Sequence, residues 1–160
     1  MFFDNLDKTE LELIEKIGVL KKYQKDAFII EEGMQGSSFG VILSGRVEVR
    51  KRIRGGEFKA LVQLKPFDLI GELGFFGAAC RSASVIAVEP SSILSFEHDI
   101  FHALATNRPR IGMVVYYNMA RILAERLVSN NVNLMDTIIW ALGHAPGPRT
   151  NVSKRMDWAG

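Results

Sequence analysis

The sequence predicts an α+β protein. It reads as an antiparallel β-roll (a double-stranded β-helix, jelly-roll-like) with an N-terminal helix and a C-terminal pair of helices, one of them long. Three observations predict it. Apolar residues recur at helical spacing near the N-terminus. Short segments rich in Val, Ile, Leu and Phe then follow at intervals of about ten residues, divided by Gly- and Pro-containing turns. Helical spacing returns close to residue 98.

The first helix is expected over residues 5–19. Asp7 and Glu10 have the spacing of a capping box, Leu11, Ile14 and Ile17 form the apolar stripe, and Gly18 is the stop. Strands are expected at Phe28–Glu31, Phe39–Ser44, Arg46–Arg52, Phe58–Leu64, Ala83–Ala87 and Ser92–Phe96. Turns fall at residues 32–36, Ser44-Gly45, Gly55-Gly56, residues 65–68 and residues 89–91. Val47, Val49 and Lys51 share one face of their strand, and Arg46, Glu48 and Arg50 share the other, so one side is wet. Asp99–Ala105 reads as a short helix. Asn107-Arg108-Pro109 opens the long one, with Pro109 acceptable in its first turn, and it runs to about Met135. Residues 136–142 either continue it or turn back, and from Gly143 Gly, Pro and polar residues suggest a loose tail. The expected organisation is therefore a lead-in at 1–19, the roll at 20–97, helices at 98–135, and a short helical segment with a flexible tail at 136–160.

Composition narrows the function. The chain has 160 residues, 48% apolar and 24% charged, enough to bury a core without disulfides or a structural metal. A net charge of +2, from 20 basic and 18 acidic residues, gives no support for a general polyanion binder. The single cysteine, Cys80, excludes an intrachain disulfide and fits a reducing, cytoplasmic compartment. Asp4, Asp7 and Glu10 stand where a signal peptide needs basic and apolar residues, and no apolar run reaches the roughly 20 residues of a membrane span. His98 and His102 are spaced i, i+4 but lack a third ligand, so no metal is assigned. Hydrolase, metalloprotease and P-loop motifs are missing, and nothing supports an enzyme.

The residues that carry chemistry are Gly71-Glu72-Leu73-Gly74 and Arg81-Ser82-Ala83. Glycines let backbone approach a ligand closely. Arginine offers a planar fork to phosphate oxygens, and glutamate offers acceptors to a sugar hydroxyl. Together they suit a molecule with one anionic phosphate and a free ribose hydroxyl. A bare Glu–Arg surface pair is the plain alternative, and it explains neither the glycines nor the spacing. Arg50-Lys51-Arg52-Ile53-Arg54, leading into Gly55-Gly56, reads as a solvated hairpin rather than a polyanion patch. Cys80 reads as a spacer.

In these residues the chain resembles the cyclic-nucleotide-binding domain family. Gly33-Met34-Gln35-Gly36, Phe39 to Ser44-Gly45, and Asp68 three residues before Gly71 extend the likeness over residues 5–135. The resemblance implies that Gly71, Glu72, Leu73, Arg81, Ser82 and Ala83 hold the ribose and cyclic phosphate, with Glu72 on the 2′-hydroxyl and Arg81 on the phosphate. It implies that Val49, Val62 and Leu64 wall the ribose and base, and that Ser129 or Asn130 on the long helix meets the base. Serine after the arginine leans to cyclic AMP, with cyclic GMP the other choice. Two residues depart from the family pattern: Phe67 replaces a usual glycine, and Cys80 precedes the arginine.

The expected function is a stand-alone cyclic-nucleotide sensor, without a DNA-binding module of its own, acting on an unidentified downstream protein. The alternatives are an interaction module that keeps the fold without binding nucleotide, and the sensor fragment of a larger regulator. Tyr116, Ala120, Leu123, Leu127, Asn130 and Leu134 have heptad spacing and predict a homodimer through the long helix. A second row, Ile111, Val115, Met119 and Ile122, is expected to pack on the roll.

Overall fold

The computed structural model describes residues 2–53, 55–78 and 80–141. It divides into two compact units, Met1–Ile122 and Leu123–Gly160. The tail expected from Gly143 lies outside the described residues.

Helix α1 spans Lys8–Ile17, shorter at both ends than expected. The capping box sets its start: Glu10 N donates to Asp7 Oδ1 at 2.9 Å, and Asp7 N donates to Glu10 Oε2 at 3.0 Å. Gly18 ends it with extended backbone, φ −80°, and not with a left-handed turn. The reason for glycine there is packing, because a Cβ would lie 2.6 Å from Leu94 Cδ1.

Eight strands follow: β1 (Val19–Tyr23), β2 (Phe28–Ile30), β3 (Phe39–Ser44), β4 (Val47–Arg52), β5 (Phe58–Leu64), β6 (Leu69–Ile70), β7 (Ser84–Ala87) and β8 (Ser91–Phe96). A four-residue helix, α2 (Glu72–Phe75), separates β6 from β7, and α3 (His98–Asn107) and α4 (Pro109–Ala141) close the chain. Residues 136–141 simply continue α4. Strands β1 and β6 lie outside the expected set. The strands form two antiparallel sheets, β1-β8-β3-β6 and β2-β7-β4-β5.

Strands β3, β6 and β8 of the first sheet bury residues on both faces, while edge strand β1 is mostly exposed. One face, with Phe39, Val41, Leu69, Leu94 and Phe96, packs with Phe2, Ile14, Phe101, Ile111, Val115 and Met119. The expected inner row of α4 is therefore in place. The other face sets Ile42, Ile70 and Ile93 against Val47, Leu64 and Val85 of the second sheet, inside the roll. Buried Asn118 fastens the N-terminus by donating to the carbonyls of Phe2 and Asp4, each at 2.9 Å. Among the described residues no helix is long and apolar enough to cross a membrane.

The turn before β6 explains the departure at Phe67. Asp68 N donates to Lys65 O at 3.0 Å, Pro66 takes the second position, and Phe67 takes the third with φ +72°. This is a turn that asks for glycine at its third position. A left-handed side chain costs about 1–2 kcal/mol, and the extra unfolded freedom of glycine takes back about 0.4–1 kcal/mol. Phe67→Gly is therefore expected to stabilise the fold by about 0.5–1 kcal/mol, read as a higher denaturant midpoint. A lower midpoint would mean that contacts of the half-exposed ring outweigh the strain.

Candidate functional site

Gly71 sits between β6 and α2 with φ +75°, which turns the chain abruptly into Glu72–Phe75. Glu72 is 8% exposed, unusually buried for a carboxylate. Arg81 comes back to the same place from the other side. Its Nη1 donates to Ser38 O at 2.7 Å and to Gly71 O at 2.9 Å, and its Nη2 donates to Ser38 Oγ at 2.9 Å. Three of the guanidinium's five N–H donors are thus used.

Three glycines make room for that guanidinium. A Cβ on Gly36 would lie 2.7 Å from Nη2; on Gly71, 2.8 Å from Nη1; and on Gly74, 2.7 Å from Nη1 and against the carbonyl of Gly36. Main-chain bonds lock the arrangement: Gly33 N donates to Arg81 O at 2.9 Å, and Arg81 N to Met34 O at 2.8 Å. The glycine turn before β3 and the cassette at 71–81 are therefore one structure.

The electrostatics favour an anion at Arg81. Burial pulls the guanidinium's pKa below its usual value, while the negative charges of Glu97 and Glu72 act in the opposite direction. The group stays charged. Among the described residues no carboxylate pairs with it within salt-bridge distance. A partly buried cation held only by two carbonyls and a hydroxyl is chemically suited to a phosphate.

The other expected residues divide into groups. Val49 and Val62 are cross-strand partners on β4 and β5, and Val47 and Leu64 are the next inward pair. Leu64 is 8% exposed and Val62 is 50% exposed, so the apolar wall opens towards Val62. Leu73 is exposed, as is Ser82, while Ala83 is half-buried. Ser129 and Asn130 are exposed on α4 in the second unit.

Sequence reasoning missed Ser38 and Lys51, and named Gly36 only as part of the glycine turn before β3. Lys51 was expected in a solvated hairpin, yet its Nζ donates to Ser82 O at 2.5 Å and pairs with Glu32 at 2.8 Å. Arg50 pairs with Glu48 at 2.6 Å, and Arg52 lies over the Phe58 ring. The signal for Lys51 was its shared face with Val49. Cys80 is exposed, and the described residues hold no cluster of three metal-binding side chains.

A family model for the cyclic nucleotide-binding domain matches residues 20–108. The "CRP-like cAMP-activated global transcriptional regulator" of Mycobacterium tuberculosis is 30% identical over 110 residues, covering 69% of this chain and 47% of the relative. The crystal structure of the catabolite activator protein of Thermus thermophilus superposes with a TM-score of 0.74 at 28% identity, over 83% of this chain and 61% of that one. The regulatory domain of Toxoplasma gondii PKA, crystallised with cAMP, gives a TM-score of 0.57 at 28% identity, over 64% of this chain and 39% of that one. The chain spans about half the length of the curated relatives it matches.

Proposed function

The chain belongs to the cyclic nucleotide-binding domain family, and from that premise we propose that it is a sensor for cyclic AMP that signals by ligand-coupled movement of α4 and by protein contacts. The carrying observation is Arg81: a partly buried cation without a carboxylate partner among the described residues, seated among three glycines beside buried Glu72. Arg81 takes the cyclic phosphate, with Ser82 and Ala83 adding donors. Glu72 accepts from the ribose 2′-hydroxyl next to Gly71 and Leu73. Val49, Val62 and Leu64 wall the ribose and base. Serine at position 82 is the ground for adenine over guanine. Binding of cAMP by the Toxoplasma gondii relative supports the ligand class. No catalytic role is proposed. Titrating cyclic AMP and cyclic GMP into the purified chain tests this reading.

Dimerisation through α4 belongs to the same proposal, with one change of register. Tyr116, expected in the seam, packs within its own unit against Phe75, Phe76 and Phe101. Its neighbour Tyr117 is 66% exposed, as is Met113 at 67%. In the second unit Leu127 and Leu134 are 61% and 60% exposed. Met113, Tyr117, Ala120, Ala124, Leu127, Asn131 and Leu134 keep the alternating spacing of a coiled-coil seam. Leu127→Glu with Leu134→Glu is expected to convert a dimer into a folded monomer that binds nucleotide more weakly. Sedimentation of the unaltered protein as a monomer at micromolar concentration would reject the dimer.

A further inference from the structure

Arg81 also walls a separate cavity of about 220 Å³. Its lining includes neither cassette residues 71–74 and 82–83 nor the wall residues Val49, Val62 and Leu64. The register of the first sheet places the lining. Gly40 of β3 faces Ser95 of β8, and Ile93 fills the space beside Gly40, since a Cβ there would lie 2.7 Å from Ile93 Cγ2. Lys21 of β1 faces Ile93 of β8, which puts a lysine in register with a residue of the roll's inner core. Tyr23, two residues on, points the same way.

Nearly half of the lining is apolar, with Ile29, Ile30, Met34, Phe39, Ile70 and Ile93, and among its polar side chains donors dominate. Lys21 and Arg81 contribute two cations, and Tyr23, Gln35, Ser38 and Ser95 contribute hydroxyl and amide donors. Glu31 is the one carboxylate. The side chains of Lys21, Tyr23 and Ser95 have no protein hydrogen-bond partner among the described residues, although Ser95 is only 8% exposed. Arg81 retains two N–H donors beyond those on Ser38 and Gly71.

We propose that this cavity binds a small tetrahedral oxyanion of the inorganic phosphate type, which shares Arg81 with the nucleotide site and lowers the sensor's affinity for its ligand. The coupling rests on the cyclic-nucleotide reading; the anion site does not. Two anions on one guanidinium repel each other and divide its donors, so each weakens the other reciprocally.

The test uses the full chain and inorganic phosphate, first without nucleotide. Phosphorus NMR or calorimetry is expected to show one phosphate site, weakened at least about fivefold by Lys21→Met and by Ser95→Ala. In the unaltered chain, saturating phosphate is expected to weaken cyclic AMP binding about fivefold relative to sodium chloride of equal ionic strength. In the two variants that effect disappears, while affinity in phosphate-free buffer is unchanged. Phosphate binding that persists undiminished in both variants puts the ion on the nucleotide subsite and overturns the proposal, as does its absence from the unaltered chain. If phosphate binds through Lys21 and Ser95 but cyclic AMP does not bind, the anion site stands and the nucleotide reading falls.

Discussion

Arg81→Ala is expected to leave both sheets folded and to weaken cyclic nucleotide binding by about two orders of magnitude. Removing one partner of a buried charge pair costs about 3–5 kcal/mol. Arg81 is half-buried, so the lower end applies, and about 3 kcal/mol is roughly a factor of a hundred. The fold survives because the guanidinium's partners are the oxygens of Ser38 and Gly71, which water can satisfy once the side chain is gone. Arg81→Lys should recover only part of the loss, since an ammonium keeps the charge and loses the fork. Glu72→Gln should cost less, roughly 1–3 kcal/mol, by trading a charge-assisted hydrogen bond for a neutral one. Calorimetry with circular dichroism on the same samples checks this. A folded Arg81→Ala protein with undiminished affinity would remove Arg81 from the site.

The largest effect on the fold itself is expected from Gly45→Ala. Gly45 has φ +84° between β3 and β4, and a Cβ there would press on Ser91 Oγ and lie 2.5 Å from Pro90 O. Left-handed strain of about 1–2 kcal/mol adds to overpacking of about 1–3 kcal/mol, giving about 3 kcal/mol. That is a large part of a typical total of about 5–15 kcal/mol. The melting midpoint should fall by about 6–12 °C. Gly33 is the control: its φ is also +84°, but nothing lies within 4 Å of a Cβ there. Gly33→Ala should therefore carry the strain alone and shift the midpoint by about one to two thirds as much. Equal shifts for the two variants would show that the packing against Ser91 and Pro90 is not what fixes Gly45.

These glycines show what could be read before the structure. Turns at Gly33, Gly45 and Gly71 were legible because φ > 0 leaves few residue choices. The capping box was legible because both partners lie within four residues. Strand β1 was not, because Val19–Tyr23 is mostly exposed at the edge of its sheet and places Lys21 where alternation calls for an apolar residue. Strand β6, Leu69–Ile70, is too short to show a period. Phe2 carries no local signal, yet it is fully buried because α4 supplies Asn118 to hold its carbonyl. At the site, Glu72 and Arg81 were visible through their glycines and spacing. Ser38 and Lys51 were not, since each reaches the cassette only after distant segments meet. On α4 the sequence could not show that Tyr116 packs inward while Tyr117 stays exposed. Two adjacent tyrosines are equivalent to a periodicity argument, and only the rings of Phe75, Phe76 and Phe101 decide which one turns inward.

The most direct measurement of the central claim is a calorimetric titration of cyclic AMP into the purified chain, with cyclic GMP and Arg81→Ala in parallel. The predicted result is one cyclic AMP bound per chain, weaker binding of cyclic GMP, and no detectable heat from Arg81→Ala at the same concentrations. A chain that melts cooperatively, and so is folded, yet gives no binding heat with either nucleotide at several temperatures would contradict it.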